Sequence, residues 1–308
     1  MTRVPTTRSE QDAMRLVVLG AGAGGGLPQW NCGCVQCSAA RAGLIPPMTQ
    51  STLAVSVDGR DWVLLNASPD LRQQLAACPS LHPASLRGSP VKAVVLTNGD
   101  VDHVAGLLTL REKTGFTLYA TETTQRILSD NSVFGVLDPT LVERRTIVLN
   151  RPFSPLAGLT ITPYAVPGKI PLYLEGEMPE LDMMGEQTIG LHLQSGGRDA
   201  HYIPGCATLP DWLVERLTLA DVVLFDGTIW RDDEMPRSGT GSKTGARMGH
   251  VAMSGPDGSL TRLSRLQGRR IYTHVNNTNS ALMPESPARA AIAAAGWEIA
   301  GDGMEVVL

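Results

Sequence analysis

Short apolar runs of strand length recur along this chain, separated by glycine- and proline-rich breaks and by segments with helical spacing. Arg15–Leu19 reads as a first strand, and residues 51–67 as two strands around the turn Asp58-Gly59, the second a buried run from Trp62 to Leu65. Asp70 is placed to cap a helix over Leu71–Ala77. Val94–Leu96 ends another strand and is followed by a helix over Val104–Leu110; Thr117–Ala120 and a helix from Glu122 to Ser129 repeat the alternation. Strands at Thr146–Asn150 and Leu159–Val166 flank a turn at Pro155–Gly158, and Thr188–Gln194 with Ala200–Pro204 makes a hairpin. The helix Asp211–Leu219, strands Ala220–Phe225 and Arg269–Thr273, an Ala-rich helix Ser286–Ala295 and a closing hairpin over Trp297–Leu308 complete an α/β pattern.

The chemistry collects where apolar strands stop. After Val94-Val95-Leu96 come Asp100, Asp102 and His103, a carboxylate and imidazole set at a strand's carboxyl end, where an α/β sheet presents reactive groups to a crevice. Such oxygen and nitrogen donors suit zinc, manganese or non-haem iron. Asp226 ends the strand Ala220–Phe225 in the same way, either at the site or merely closing a turn. Gly20, Gly22 and Gly25 fit G-x-G-x-x-G, but Leu27-Pro28-Gln29-Trp30 does not continue as the helix that a dinucleotide site requires. The glycines are expected instead to let the backbone pass close to another loop near the site. Cys32, Cys34 and Cys37 fall within six residues, a density that favours structural zinc over a disulfide. The fourth ligand is open among Cys78, Cys206, a histidine, Asn277 and water.

Composition narrows the partners. With 308 residues, 43% of them hydrophobic, 18% charged and a net charge of −4, the chain offers no basic footprint for nucleic acid. Its apolar runs fall far short of the roughly 20 residues that cross a bilayer, so no membrane association is expected. Residues 1–13 lack the apolar centre of a signal peptide and read as a disordered extension before a single domain over 14–308, in a cytoplasmic protein that takes a small-molecule or peptide-derived substrate and can form a homo-oligomer.

The stretch Thr97-Asn-Gly-Asp-Val-Asp-His103 resembles the His-x-His-x-Asp-His segment of the metallo-β-lactamase superfamily, with Asn98 and Asp100 at the places of the two leading histidines. Thr273-His274 resembles that superfamily's last metal histidine; Lys169 stands near its third, and Cys206 stands where many relatives carry a bridging aspartate. These departures imply one metal ion instead of two. In a branch resembling phosphodiesterases of phosphonate metabolism, a similar cysteine cluster is completed by a histidine, and Asn277 stands at that position here.

The runs Leu19–Cys32, Thr97–His103, Gly205-Cys206 and Thr273–Asn279 resemble a narrower family that serves pyrroloquinoline quinone (PQQ) synthesis. That resemblance implies a four-layer αββα sandwich of the metallo-β-lactamase type. It also implies iron- and dioxygen-dependent hydroxylation of the tyrosine ring of a peptide-derived, cross-linked glutamate–tyrosine precursor. Asp102, His103 and His274 would hold active-site iron(II), with O2 as co-substrate; their composition equally fits zinc. His250 resembles the mobile histidine that moves protons in related enzymes, with Asp100 as a second proton carrier. Lys243, Arg247 and Arg237 are candidates to meet substrate carboxylates, and Asp226 to contact the substrate. A loop over Ile170–Gln187 can serve as a lid. The other readings are a metal-dependent hydrolase and a carrier or transport protein for PQQ or its precursor.

Overall fold

The computed structural model describes residues 13–176 and 180–308, so residues 1–12 of the expected extension and residues 177–179 of the expected lid lie outside the described residues. Strands β1 (Arg15–Gly20), β2 (Thr52–Ser56), β3 (Trp62–Leu65), β4 (Val91–Val95), β5 (Phe116–Ala120) and β6 (Val142–Thr146) belong to one sheet. Strands β7 (Phe153–Leu156), β8 (Leu159–Ala165), β9 (Ile189–Ser195), β10 (Arg198–Ile203), β11 (Val222–Asp226), β12 (Arg269–Thr273) and β13 (Trp297–Ile299) form the other. The last strand, β14 (Glu305–Val307), returns to pair with β1.

Alternation along β1 explains the layering. Leu16 and Val18 point into an apolar interface shared with Leu191, Leu193, Tyr202 and Ile271 of the other sheet. Val17 and Leu19 point outward to Leu71, Leu107 and Leu128 on the helical side. A third apolar cluster joins Val223, Phe225 and Tyr272 to Leu213, Leu217 and Ile292 of the helices over the second sheet. Three apolar interfaces make helix, sheet, sheet and helix layers, the αββα sandwich. Each fully buried Leu here contributes about 1.5–3 kcal/mol relative to exposure.

Each sheet is parallel from its middle out to one edge: β3 through β6 in one, β10 through β13 in the other. Their carboxyl ends open to the same edge, and the loops that leave them carry the polar residues singled out above. No helix among the described residues is long and apolar enough to cross a membrane.

Several expectations need correction. The final residues are not a hairpin, because β13 pairs with β12 while β14 pairs with β1; the Gly301–Gly303 turn carries the chain from one sheet to the other. The strand expected at Thr146–Asn150 lies earlier, at Val142–Thr146, where an exposed edge strand gives no apolar pattern to read, and Pro155 falls inside β7. The helix expected over Val104–Leu110 is a short α-helical turn, Val101–Val104, continued as a 3-10 helix over Ala105–Arg111. Asp70 makes no side-chain cap; its Oδ2 accepts from Gln50 N at 2.9 Å and Gln50 Nε2 at 3.0 Å, tying the helix Leu71–Ala77 to the segment that enters β2.

Candidate metal centre

The glycine run passes close to the segment that follows β12, as the sequence leads one to expect: Ala23 N donates to Val275 O at 2.9 Å and Val275 N to Ala21 O at 2.8 Å. A Cβ on Gly20 would stand 2.1 Å from Gln50 O, so bulk there is excluded, whereas one on Gly24 would stand 3.4 Å from Asp102 Oδ2, an ordinary contact beside the site. The helix after the run starts only at Val35, too late to present its N-terminus to a dinucleotide phosphate.

From opposite halves of the chain, Asp102, His103 and His274 converge so that their ligand atoms all lie within 4.8 Å of one another. His274 sits at φ +56°, a left-handed backbone that turns its ring back toward the first sheet's loop. Its Nε2 is 3.1 Å from Asp102 Oδ2, and its ring centroid 5.3 Å from that of His103. Asn98 Oδ1 lies 2.6 Å from His103 Nδ1, which orients the ring; His103 Nε2 is buried with no hydrogen-bond partner. A buried, unpartnered ring nitrogen facing a carboxylate and a second imidazole is where a cation satisfies all three groups.

Electrostatics agree with that geometry. Burial alone would push Asp102 up, but the His103 and His274 rings outweigh it and hold its carboxyl well below the usual carboxylate range. Desolvation pulls His103 down to about 4, which keeps it in the neutral form that ligates metals. His274 is raised: burial opposes this, and the Asp102 and Asp226 carboxylates prevail. Asp100 is also raised, by burial and then by its neighbour Asp102.

A second ring of residues supports the first. Asp226 is fully buried at the end of β11; its Oδ2 accepts from Cys206 N at 2.9 Å and lies 2.7 Å from His250 Nδ1, while Thr228 Oγ1 donates to its Oδ1 at 2.6 Å. Both oxygens are thus engaged and Asp226 orients His250, and its carboxylate also gathers with His250 and His274 so that their ligand atoms lie within 4.8 Å of one another. The same Thr228 hydroxyl lies 2.8 Å from His274 Nδ1 and 3.1 Å from His250 Nδ1. Sequence reasoning did not single out Thr228, and it read Asn98 only as standing where related chains carry a ligand; Thr228 lies two residues beyond the end of β11 at Asp226, and Asn98 three beyond the end of β4 at Val95. Cys206 is a buried thiol pushed well above its ordinary range by burial and by Asp226, and it donates to Thr208 O at 3.0 Å.

The cleft over these groups has a volume of about 220 Å³, and Asp100, Lys169, Lys243 and His250 line it with the three ligating residues. The described part of the loop lies across it: Tyr173 Oη donates to Gly99 O at 2.7 Å and Leu172 N to Asp100 Oδ1 at 3.3 Å. Glu175 from that loop pairs with Lys169 Nζ at 2.7 Å and with Arg247 at 2.8 Å. Arg247 Nη2 is thus engaged by Glu175 while its Nη1 is buried with no hydrogen-bond partner, Arg237 pairs with Asp233 at 3.7 Å on the surface, and Lys243 lines the cleft. The cysteine cluster forms apart from the cleft, with Cys32, Cys34 and Cys37 gathered together. Of the residues weighed as a fourth ligand, Asn277 faces them, its Nδ2 at 3.2 Å, 3.7 Å and 3.3 Å from the three sulfurs.

Comparison with known proteins places this site in context. A model of the beta-lactamase superfamily domain matches residues 61–275. Coenzyme PQQ synthesis protein B of Ruegeria pomeroyi is 56% identical over 295 residues, covering 96% of this chain and 100% of the relative. The chain belongs to the coenzyme PQQ synthesis protein B family. Another family member, from Rhizobium meliloti, is 55% identical over 298 residues, covering 96% of this chain and 98% of the relative. The crystal structure of Zn(2+)-bound PqqB from Methylobacterium extorquens superposes with a TM-score of 0.94 at 52% identity, covering 96% of this chain and all (100%) of that one. A diphosphatase from the PhnP family, at a TM-score of 0.65 and 22% identity over 96% of this chain and 97% of its own, shares the fold.

Proposed function

We propose that this protein acts in PQQ synthesis as an iron- and dioxygen-dependent hydroxylase of the tyrosine ring of a peptide-derived glutamate–tyrosine precursor. One observation carries the reading: Asp102, His103 and His274 make a carboxylate and two imidazoles around the unpartnered His103 Nε2. Two histidines and a carboxylate with positions left open form the set that non-haem iron(II) oxygenases use. Bound there, iron(II) supplies the electron-transfer chemistry that makes dioxygen reactive toward a phenol. Metal binding is further supported by the zinc in the Methylobacterium extorquens relative, although zinc itself cannot supply that redox chemistry.

The chain's own residues bind, orient and move protons. His250, its Nδ1 held by Asp226 at 2.7 Å, keeps Nε2 for a proton exchanged with the phenol oxygen. Asp100, raised by burial and by Asp102, is a second proton carrier on the same wall. Lys243 lines the cleft where an amino-acid-derived substrate brings its carboxylates. The loop segment Leu172–Glu175 covers the opening and limits water. Cys206 stands where a bridging carboxylate would join two ions, and its thiol is pushed well above its ordinary range, which weighs against a dinuclear hydrolase.

The test is reconstitution without oxygen: load the protein with iron(II), add the tyrosine-derived precursor, then admit dioxygen and follow product mass. A gain of oxygen on the ring only in the iron-loaded sample is expected. Equal turnover by a zinc-loaded sample, or tight retention of unaltered PQQ with no oxygenated product, overturns the proposal.

A further inference from the structure

Away from the cleft, the hairpin of β9 and β10 carries a second constellation that the mechanism does not use. His192 and His201 are direct cross-strand partners in the register of these strands, and Asp199 sits two residues before His201 on the same face. That face is the outer one, since Leu191, Leu193, Ala200 and Tyr202 point the other way into the interface between the sheets. The ligand atoms of His192, Asp199 and His201 all lie within 4.8 Å of one another. The two rings are parallel, with centroids 4.3 Å apart and planes 4° apart. His192 Nε2 is 3.0 Å from Asp199 Oδ2; His201 Nε2 is 3.8 Å from the same oxygen, beyond hydrogen-bond length.

Two of the three donors, His201 and Asp199, are fixed from behind. Tyr164 Oη lies 2.8 Å from His201 Nδ1, which sets the ring plane and leaves Nε2 facing Asp199. Asp199 Oδ1 accepts from Asp221 N at 3.2 Å, and Asp199 N donates to Asp221 Oδ2 at 3.0 Å, which leaves Asp199 Oδ2 for the rings. Outer contacts of this kind orient the donors of metal sites. An ordinary surface ion pair needs one imidazole, whereas here a second is aimed at the same oxygen.

We infer that His192, Asp199 and His201 form a further metal site, for a borderline divalent transition cation such as zinc or nickel, that clamps the β9–β10 hairpin. Two imidazole nitrogens and one carboxylate oxygen select such ions over magnesium or calcium, which take oxygen donors. Charge around the site is mixed: Asp199 is the anionic donor and Asp221 neutralises Arg198 at 3.0 Å, while Arg216, 4.5 Å from the Tyr164 ring centroid, places a positive charge near His201. Half-exposed His192 and Asp199 give the ion a path from solvent. The site is distinct from the cleft. His201 pairs with Val223, and Asp226 lies three residues further along β11, about 10 Å away.

Equilibrium dialysis of the full chain against zinc, followed by elemental analysis, tests the assignment by difference. His192→Ala and Asp199→Asn are each expected to bind one equivalent less than the unaltered chain, while the cysteine cluster and the Asp102 centre keep theirs. The unaltered chain is also expected to gain thermal stability from zinc beyond the gain of His192→Ala. Equal zinc content in the unaltered chain and both variants overturns the site.

Discussion

The segment that leaves β12 serves two sites built on opposite principles: His274 faces the cleft, and Asn277, three residues on, faces the cysteines. The cysteine cluster draws its three sulfurs from a stretch of six residues, so local chain geometry alone assembles it. The cleft draws Asp102 and His103 from one sheet's loop and His274 from the other's, so only the finished sandwich assembles it. A site made of neighbours and closed by soft sulfur suits a structural ion, and a site made across the fold, with open positions, suits chemistry. The difference predicts which substitutions cost activity and which cost stability.

The largest effect is expected in the cleft. Asp102→Ala removes the carboxylate that links both imidazoles, and product formation should fall on the order of 10³-fold or more, the scale seen when one member of a concerted catalytic unit is removed. Elemental analysis should show one metal fewer and the cysteine-bound ion retained. Loss of both ions together would mean that the two sites are a single cooperative unit.

Cys37→Ser is the mirror experiment. Cys37 is fully buried, and its sulfur lies 3.3 Å from Asn277 Nδ2. If zinc is present at 1,000 times its dissociation constant, losing that site costs about 4 kcal/mol of stability. Chemical denaturation should report this, while the variant that remains folded keeps most of its turnover per bound iron. A fall in turnover as large as that of Asp102→Ala would break the distinction.

How much of this was legible in the sequence follows the same division. Cys32, Cys34 and Cys37 announce themselves by spacing, and Asp102-His103 by following a buried strand. Thr228 does not, because its partners Asp226, His250 and His274 come from separate loops, and a lone threonine after a strand carries no pattern. Glu175 was hidden likewise: nothing in a Pro- and Glu-rich loop says that one carboxylate turns inward onto Lys169 and Arg247. In the fold, the buried parallel strands were readable from apolar runs. The exposed strand Val142–Thr146 and the splitting of the last two strands between sheets were not, since both depend on pairing with distant chain.

A buried acid beneath the shared segment sharpens the comparison through pH. Glu234 Oε1 accepts from Thr278 Oγ1 at 2.8 Å and Oε2 from Trp230 N at 2.8 Å, and burial raises its carboxyl from 4.5 to about 7. Between these values the folded protein holds a proton that the unfolded chain has released. Stability from this group is therefore full below 4.5 and declines as pH rises to about 7, by up to about 3 kcal/mol. Glu234→Gln should flatten that decline in denaturation curves measured across the window. An unchanged slope would remove Glu234 as its source.

The smallest effect is expected from Thr228→Val, and it probes how the cleft is tuned. The Thr228 hydroxyl has one hydrogen, and the 2.6 Å contact with Asp226 Oδ1 takes it, so Oγ1 is left to accept from His274 Nδ1 at 2.8 Å. That acceptance fixes the His274 tautomer with its proton on Nδ1, and Nε2 is left to face Asp102 with a lone pair once a cation replaces the shared proton. Valine keeps the volume and removes the acceptor, leaving a buried N–H without a partner and the ring free to choose the wrong tautomer. Iron affinity, read by competition with a chelator, should weaken about 10- to 100-fold, as for other outer contacts of metal-bound histidines. The cysteine-bound ion should be untouched, and Thr228→Ser, which restores the hydroxyl, should recover most of the loss. Equal affinity in the valine and serine variants would mean that packing, not the hydrogen bond, holds His274 in place.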